Sequence, residues 1–140
     1  MKYWDASAVV PLLVDEPMTD SMKNIALSDS DFAVWWATGT ECVSALSLRL
    51  RTGDIRKTTH EAGMARLAAA RSRWTVFPPT ERIRVEAERL LLAHPLRAAD
   101  AFQLAAALSA ADGDPTSLEF VSLDFRLTQA ARGEGFIVES

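Results

Sequence analysis

Short apolar runs alternate with longer, helix-patterned ones along the chain. Lys2 to Asp5, Phe32 to Trp35, Trp74 to Phe77, Leu118 to Leu123 and Phe136 to Val138 are runs of three to six residues, rich in aromatic and β-branched side chains, and read as strands. The segments between them read as helices. Ser7 is a plausible N-cap for a helix through Val14, in which Pro11 falls just past the first turn and removes one hydrogen bond. Further helices are predicted over Asp20 to Leu27, Thr38 to Arg51, Thr58 to Arg71, Thr80 or Glu81 to Ala93, and Phe125 to Ala131. In the Thr58 helix, Ala62, Ala65, Leu67, Ala68 and Ala69 are the candidate packing positions. Thr52-Gly53-Asp54, His94-Pro95, Asp112-Gly113-Asp114-Pro115 and Gly133-Glu134-Gly135 punctuate the chain. Strands alternating with helices in this way predict a parallel sheet covered on both faces.

One segment departs from the amphipathic pattern. Arg97-Ala98-Ala99-Asp100-Ala101-Phe102-Gln103-Leu104-Ala105-Ala106-Ala107-Leu108 forms helix readily but has almost nothing polar to turn toward water. A helix apolar on nearly every face is buried. A lone carboxylate there needs a cation, a metal or a dense hydrogen-bond shell, so Asp100 reads as part of a site. The local alternative is a first-turn Asp favoured by the helix dipole. Gln103 lies one turn on, on the same face.

Composition sets the bounds. At 140 residues and 49% apolar content the chain is expected to form a single domain over residues 1–140 with a real core. The stretch after Met1 is too short and too interrupted, by Pro11, Asp15 and Glu16, to be a signal peptide or a membrane span. Cys42 has no second cysteine to pair with and is expected to pack as a small hydrophobe, which makes the reducing cytoplasm the default location. His60 and His94 are too few and too scattered for a histidine metal site. The net charge of −4 hides an asymmetry: residues 49–97 hold eleven Lys/Arg against five Asp/Glu and are +6, whereas the remainder is −10. That pattern fits a nucleic-acid surface beside an acidic pocket, or the solvated faces of two helices.

In an open parallel sheet, ligands bind beyond the carboxyl ends of the strands, where the winding reverses. Asp5 ends the first strand and Asp124 the fourth, so they share one crevice if those strands are neighbours. Glu41 lies in the first turn after the second strand, and Asp100 opens a helix that can reach the same edge. Asp124 also suits an N-cap, and Thr38-Gly39-Thr40-Glu41 also matches a capping box. It is the coincidence of four acids at one edge that favours a shared chemical role.

These same segments resemble those of PIN-domain ribonucleases, and among them the VapC-type toxins of bacterial toxin-antitoxin pairs. Trp4-Asp5-Ala6-Ser7-Ala8-Val9-Val10, with Leu13 and Glu16 beyond it, is similar to the family's opening strand and D-x-S-A motif. Thr40-Glu41-Cys42-Val43-Ser44-Ala45-Leu46 resembles its second acidic segment, and Leu96 to Ala105 around Asp100 is the most specific match. Phe120-Val121-Ser122-Leu123-Asp124-Phe125-Arg126-Leu127, then Gly135 to Val138, resembles the closing segment. Trp35-Trp36-Ala37-Thr38-Gly39 stands where an ordinary strand-to-helix turn is expected.

The resemblance implies a three-layer α/β/α fold with a central parallel sheet of about five strands. It implies an endonuclease that hydrolyses RNA to 5′-phosphate and 3′-hydroxyl ends, a cognate antitoxin whose tail lies across the acidic crevice, and a homodimer. Oxygen ligands without Cys or His select hard ions, so Mg²⁺ or Mn²⁺ is expected on Asp5, Glu41, Asp100 and Asp124. Ser7 is expected to orient Asp5 or a water beside it. Arg97 and Arg126 flank two of the acids, either to meet substrate phosphates or to form an ion pair in the empty pocket. Two rivals remain at this level. One is a catalytically silent PIN-like module that grips RNA or a partner. The other is an aspartyl-phosphate phosphotransferase, which usually has a second Asp where this chain has Ser7.

Overall fold

The computed structural model describes residues 1–140. In chain order the elements are β1 (Lys2–Trp4), α1 (Ala6–Leu13), α2 (Thr19–Ser28), β2 (Phe32–Trp35), α3 (Thr38–Arg51), α4 (Lys57–Arg71), β3 (Thr75–Phe77), α5 (Glu81–Ala93), α6 (Ala98–Ala110), β4 (Phe120–Val121), α7 (Phe125–Gly133) and β5 (Val138–Glu139), with a 3₁₀ turn at Pro115–Ser117. The sheet runs β3-β2-β1-β4-β5 with every neighbouring pair parallel.

Successive strand residues point to opposite faces, and this pleat divides the core in two. Tyr3, Ala33, Trp35 and Phe120 join a cluster with Ile83, Leu90, Leu104 and Leu127 from α5, α6 and α7. Trp4, Val34 and Val121 join one with Val9, Leu13, Met22, Leu46 and Leu67 from α1 to α4. The result is the expected three-layer α/β/α sandwich. Strands this short suffice because the helices cover both faces.

Some expected details differ. Asp5, not Ser7, is the N-cap of α1; its extended backbone (φ −80°, ψ 153°) ends the strand and its side chain accepts from the Ser7 N–H. β4 is confined to Phe120–Val121, because the chain beyond turns toward α7, and β5 is displaced to Val138–Glu139. Phe136 lies before the strand and is buried against Phe120. In α4 only Leu67 of the five proposed packing residues is buried. The helix seats on α1 and α3 through Gly63 and Leu67, one turn apart, and its alanines face solvent, where they supply helix propensity alone. Gly63 lets the helices approach: a Cβ there would meet Val14 Cγ1 at 3.0 Å and the Leu13 carbonyl at 3.4 Å.

Candidate active site

The chain lays down β1, β2 and β3 in one direction, then crosses over to place β4 and β5 on the other side of β1. The gap beyond the carboxyl ends of β1 and β4 is therefore the switch point; Asp5 follows β1 directly, and Asp124 follows β4 after Ser122 and Leu123. The Asp5 N–H donates to the Val121 carbonyl at 3.0 Å, which ties the two exits together.

Asp5 is buried and its Oδ2 is held by three donors: the Ser7 hydroxyl, the Ser7 N–H at 3.3 Å and the Ser122 hydroxyl at 2.8 Å. The two hydroxyls also fix the opposite turn. Ser7 Oγ accepts from the Leu123 N–H at 2.9 Å and Ser122 Oγ from the Asp124 N–H at 3.1 Å. Ser7 thus orients Asp5 and β4's exit together. Ser122, to which the sequence alone assigns no role, also holds both Asp5 and the Asp124 turn; its signal is a hydroxyl two residues before Asp124, just past the apolar pair Phe120–Val121. Asp124 does cap α7, accepting from the Leu127 N–H at 2.9 Å.

Glu41 and Asp100 come from helices on opposite faces of the sheet. The capping box proposed for Glu41 does not form. The N-cap of α3 is Ala37, with no side-chain cap, and Glu41 Oε2 accepts instead from Gln103 Nε2 at 3.1 Å. Gln103 is fully buried; it also donates to Thr38 Oγ1 at 3.1 Å and accepts from the Tyr3 hydroxyl at 2.7 Å. Tyr3, Thr38, Glu41 and Gln103, from β1, α3 and α6, are thereby joined in one hydrogen-bond network. Asp100 sits half-buried in the first turn of α6, where its Oδ2 accepts from the Arg97 N–H at 3.4 Å. Asp100 is thus a first-turn acid of α6 that also lines the cleft. Arg97 and Arg126 form no ion pair with any acid; both side chains are exposed, and their guanidinium groups act on Asp100 through their fields, beside the Arg97 N–H bond.

Asp5, Ser7, Glu41, Asp100 and Asp124 line one cleft of about 450 Å³. Glu16 and Arg49 complete its rim, paired at 2.5 Å, and Arg49 is the one cation among the lining residues. The acids pay electrostatically for this company. Burial pushes Asp5 above the usual carboxylate range, against the pull of its Ser7 and Ser122 hydrogen bonds and with the help of Asp124's charge. Glu41 is pushed up to about 7 by burial, with the charges of Asp5 and Asp100 adding to it against the Gln103 bond. Asp100 is raised by burial and then by Asp124.

An all-oxygen, under-compensated anionic cleft has the donor chemistry for a hard divalent cation. No three His, Cys, Asp or Glu side chains converge as a ready-made ligand set. The acids line an open cleft rather than a cage, which suits an ion that keeps several of its waters and takes few carboxylates. Elsewhere, His94 pairs with Glu134 at 2.8 Å and His60 lies apart in α4, so the two histidines form no acid-base pair. Cys42 is buried, with its thiol pushed up to about 12 by burial, and packs as expected. No helix is long and apolar enough to cross a membrane.

A doubly wound parallel sheet with carboxylates at its switch point defines a class of α/β proteins that bind ligands across that edge. Within it the family is settled by sequence: the PIN domain model matches residues 2–132, and the chain belongs to the PIN domain family. Solved structures similar in fold include a toxin-antitoxin complex from Klebsiella pneumoniae (15% identity, TM-score 0.71, covering 100% of this chain and 97% of that one). FitAcB from Neisseria gonorrhoeae is similar at 17% identity and TM-score 0.70, covering 100% and 97%... of the two chains respectively. PAE2754 from Pyrobaculum aerophilum is similar at 22% identity and TM-score 0.69, covering 99% and 90%. No curated protein matches the chain in sequence.

Proposed function

We propose that the chain is a metal-dependent endoribonuclease acting as the toxin of a toxin-antitoxin pair, with residues 1–140 working as one PIN domain in the cytoplasm. The observation that carries this reading is the shared cleft of Asp5, Glu41, Asp100 and Asp124 at the switch point of a PIN fold, with three of the four carboxyls raised by burial and by one another. Asp5, Glu41, Asp100 and Asp124 would hold Mg²⁺ or Mn²⁺. Such an ion, when bound, supplies Lewis-acid activation of water and offsets charge building on the phosphodiester.

The chain's own residues do the positioning. Ser7 and Ser122 lock Asp5 in one rotamer and fix the Asp124 turn beside it. Gln103 aims Glu41 into the cleft from the opposite wall. Burial, with the charges of Asp5 and Asp100, holds the Glu41 carboxyl above its ordinary range in the metal-free chain, and a bound cation would relieve that repulsion. Several of the solved relatives are complexes of toxin with antitoxin. By that likeness an antitoxin segment would lie across this cleft, and the working unit would be a homodimer.

Induced expression in a bacterial host without an antitoxin tests the toxin role. Wild-type chain is expected to arrest growth and Asp100→Asn to leave it unaffected. Normal growth with soluble, folded wild-type protein would count against it.

A further inference from the structure

Trp36 is 62% exposed, an unusual position for so large an apolar side chain. It stands at the carboxyl end of β2, on the edge that carries the acids. Its neighbour in sequence, Trp35, is buried and stacked on Phe102, with ring centroids 5.4 Å apart and planes within 3°, which anchors the end of β2. Two hollows meet at the Trp36 ridge. One, of about 520 Å³, is lined by Trp36, Phe102 and Glu41, and Glu41 also lines the acid cleft. The other, of about 310 Å³, is lined by Trp36, Trp74 and Arg71. The three hollows thus adjoin through shared walls, Glu41 between the acid cleft and the first and Trp36 between the first and the second, in the order acids, Glu41, Trp36, Arg71.

The cation at the end of this series is uncommitted. Three cations of the basic middle segment are committed within the chain: Arg49 is paired with Glu16, Arg84 with Glu81 and Glu88, and Arg89 with Glu86 and Glu134. Arg71 makes no ion pair and its guanidinium has no hydrogen-bond partner in the protein. It lies flat against Gly39, where a Cβ would come within 2.2 Å of Nη2.

We propose that Trp36 and Arg71 form a nucleotide subsite: an unpaired RNA base stacks on the Trp36 ring and an adjoining phosphate meets the Arg71 guanidinium as the strand leaves the acid cleft. Aromatic faces accept any base, and Arg supplies phosphate contact, the combination used to bind single-stranded nucleic acid. A paired base has no free face to offer, so the subsite selects unpaired RNA. The identity of the strand rests on the ribonuclease reading above; the subsite itself is read by binding.

The test uses the full chain carrying Asp100→Asn and a short fluorescein-labelled oligoribonucleotide of mixed sequence, single-stranded or annealed as a blunt duplex. Anisotropy should show preference for the single strand. Trp36→Ala should weaken it about tenfold and Trp36→Phe by much less. Arg71→Ala should weaken it and reduce the magnitude of the slope of log K against log salt by about 0.7, the share of one phosphate on a single strand. Gly39→Ala, which displaces Arg71, should move affinity in the same direction. Unchanged single-strand affinity in both Trp36→Ala and Arg71→Ala overturns the subsite, even if wild-type chain cleaves RNA. Trp36-dependent binding by a chain whose wild type cleaves nothing keeps the subsite and discards the nuclease. If Trp36→Ala converts a dimer to a monomer without altering affinity, the ridge is a contact between two copies and the proposal fails.

Discussion

Asp5 commits one carboxylate oxygen, Oδ2, to three donors and leaves Oδ1 without a protein partner. The Ser7 N–H bond caps α1, and Oδ1 is the oxygen that the proposed metal role would use. Asp5→Asn keeps an acceptor for the serines but removes the charge, so cleavage should disappear while thermal stability holds or rises, because burial disfavours the ionised form of Asp5 in the folded state. Ser122→Ala removes one bond to Asp5 and one from the Asp124 N–H, and is expected to lower cleavage about 10- to 100-fold, as loss of an orienting partner typically does. A steady-state rate comparison with Asp5→Asn checks the order of the two effects. Gln103→Leu leaves Tyr3, Thr38 and Glu41 short of partners and should cost about 1–3 kcal/mol in urea unfolding.

At the scale of elements, the seating of α4 makes a separate prediction. Gly63 faces Val14 and the Leu13 carbonyl too closely for any added side chain to enter freely. Gly63→Leu should therefore destabilise the chain by about 1–3 kcal/mol through overpacking, despite its better helix propensity, and denaturant unfolding measures it. The same helix shows where sequence reading runs out. Its alanines are apolar enough to suggest a core face, but Gly63 and Leu67 are the residues that touch, and no hydropathy pattern ranks a glycine as a contact. The α3 span was legible to the residue, because the pattern over Thr38 to Arg51 is long and periodic. The capping box within it was not. The Glu41 side chain is drawn away by Gln103, a partner 62 positions on in the chain, and such long-range bonds leave no local trace. Asp5 and Asp124 were legible as neighbours because parallel topology places strand ends at one edge. Ser122 lay in view but carried no role until the two turns were seen to face each other.

For the whole molecule, the raised carboxyls impose a pH dependence. Glu41 titrates near its ordinary 4.5 when unfolded and at about 7 when folded, and Asp5 and Asp100 shift in the same direction. Between those values the folded chain binds more protons than the unfolded one, so stability falls as pH rises through this window. Metal-free protein should melt at a higher temperature near pH 5 than near pH 8. Glu41→Gln should flatten that slope, and Mg²⁺ or Mn²⁺ should raise the melting temperature more near pH 8, where the acids are ionised and free to bind it. A profile rising over the same window, with EDTA present, would contradict the electrostatic account of the cleft.

The most direct test of the central claim is cleavage of total cellular RNA by purified, folded chain with Mg²⁺ or Mn²⁺, with EDTA, and beside Asp5→Asn and Asp100→Asn. The account predicts discrete fragments carrying 5′-phosphate ends, absent with EDTA and absent with either variant. Fragments that persist in EDTA or in both variants, or no metal-dependent cleavage by antitoxin-free protein, would contradict it.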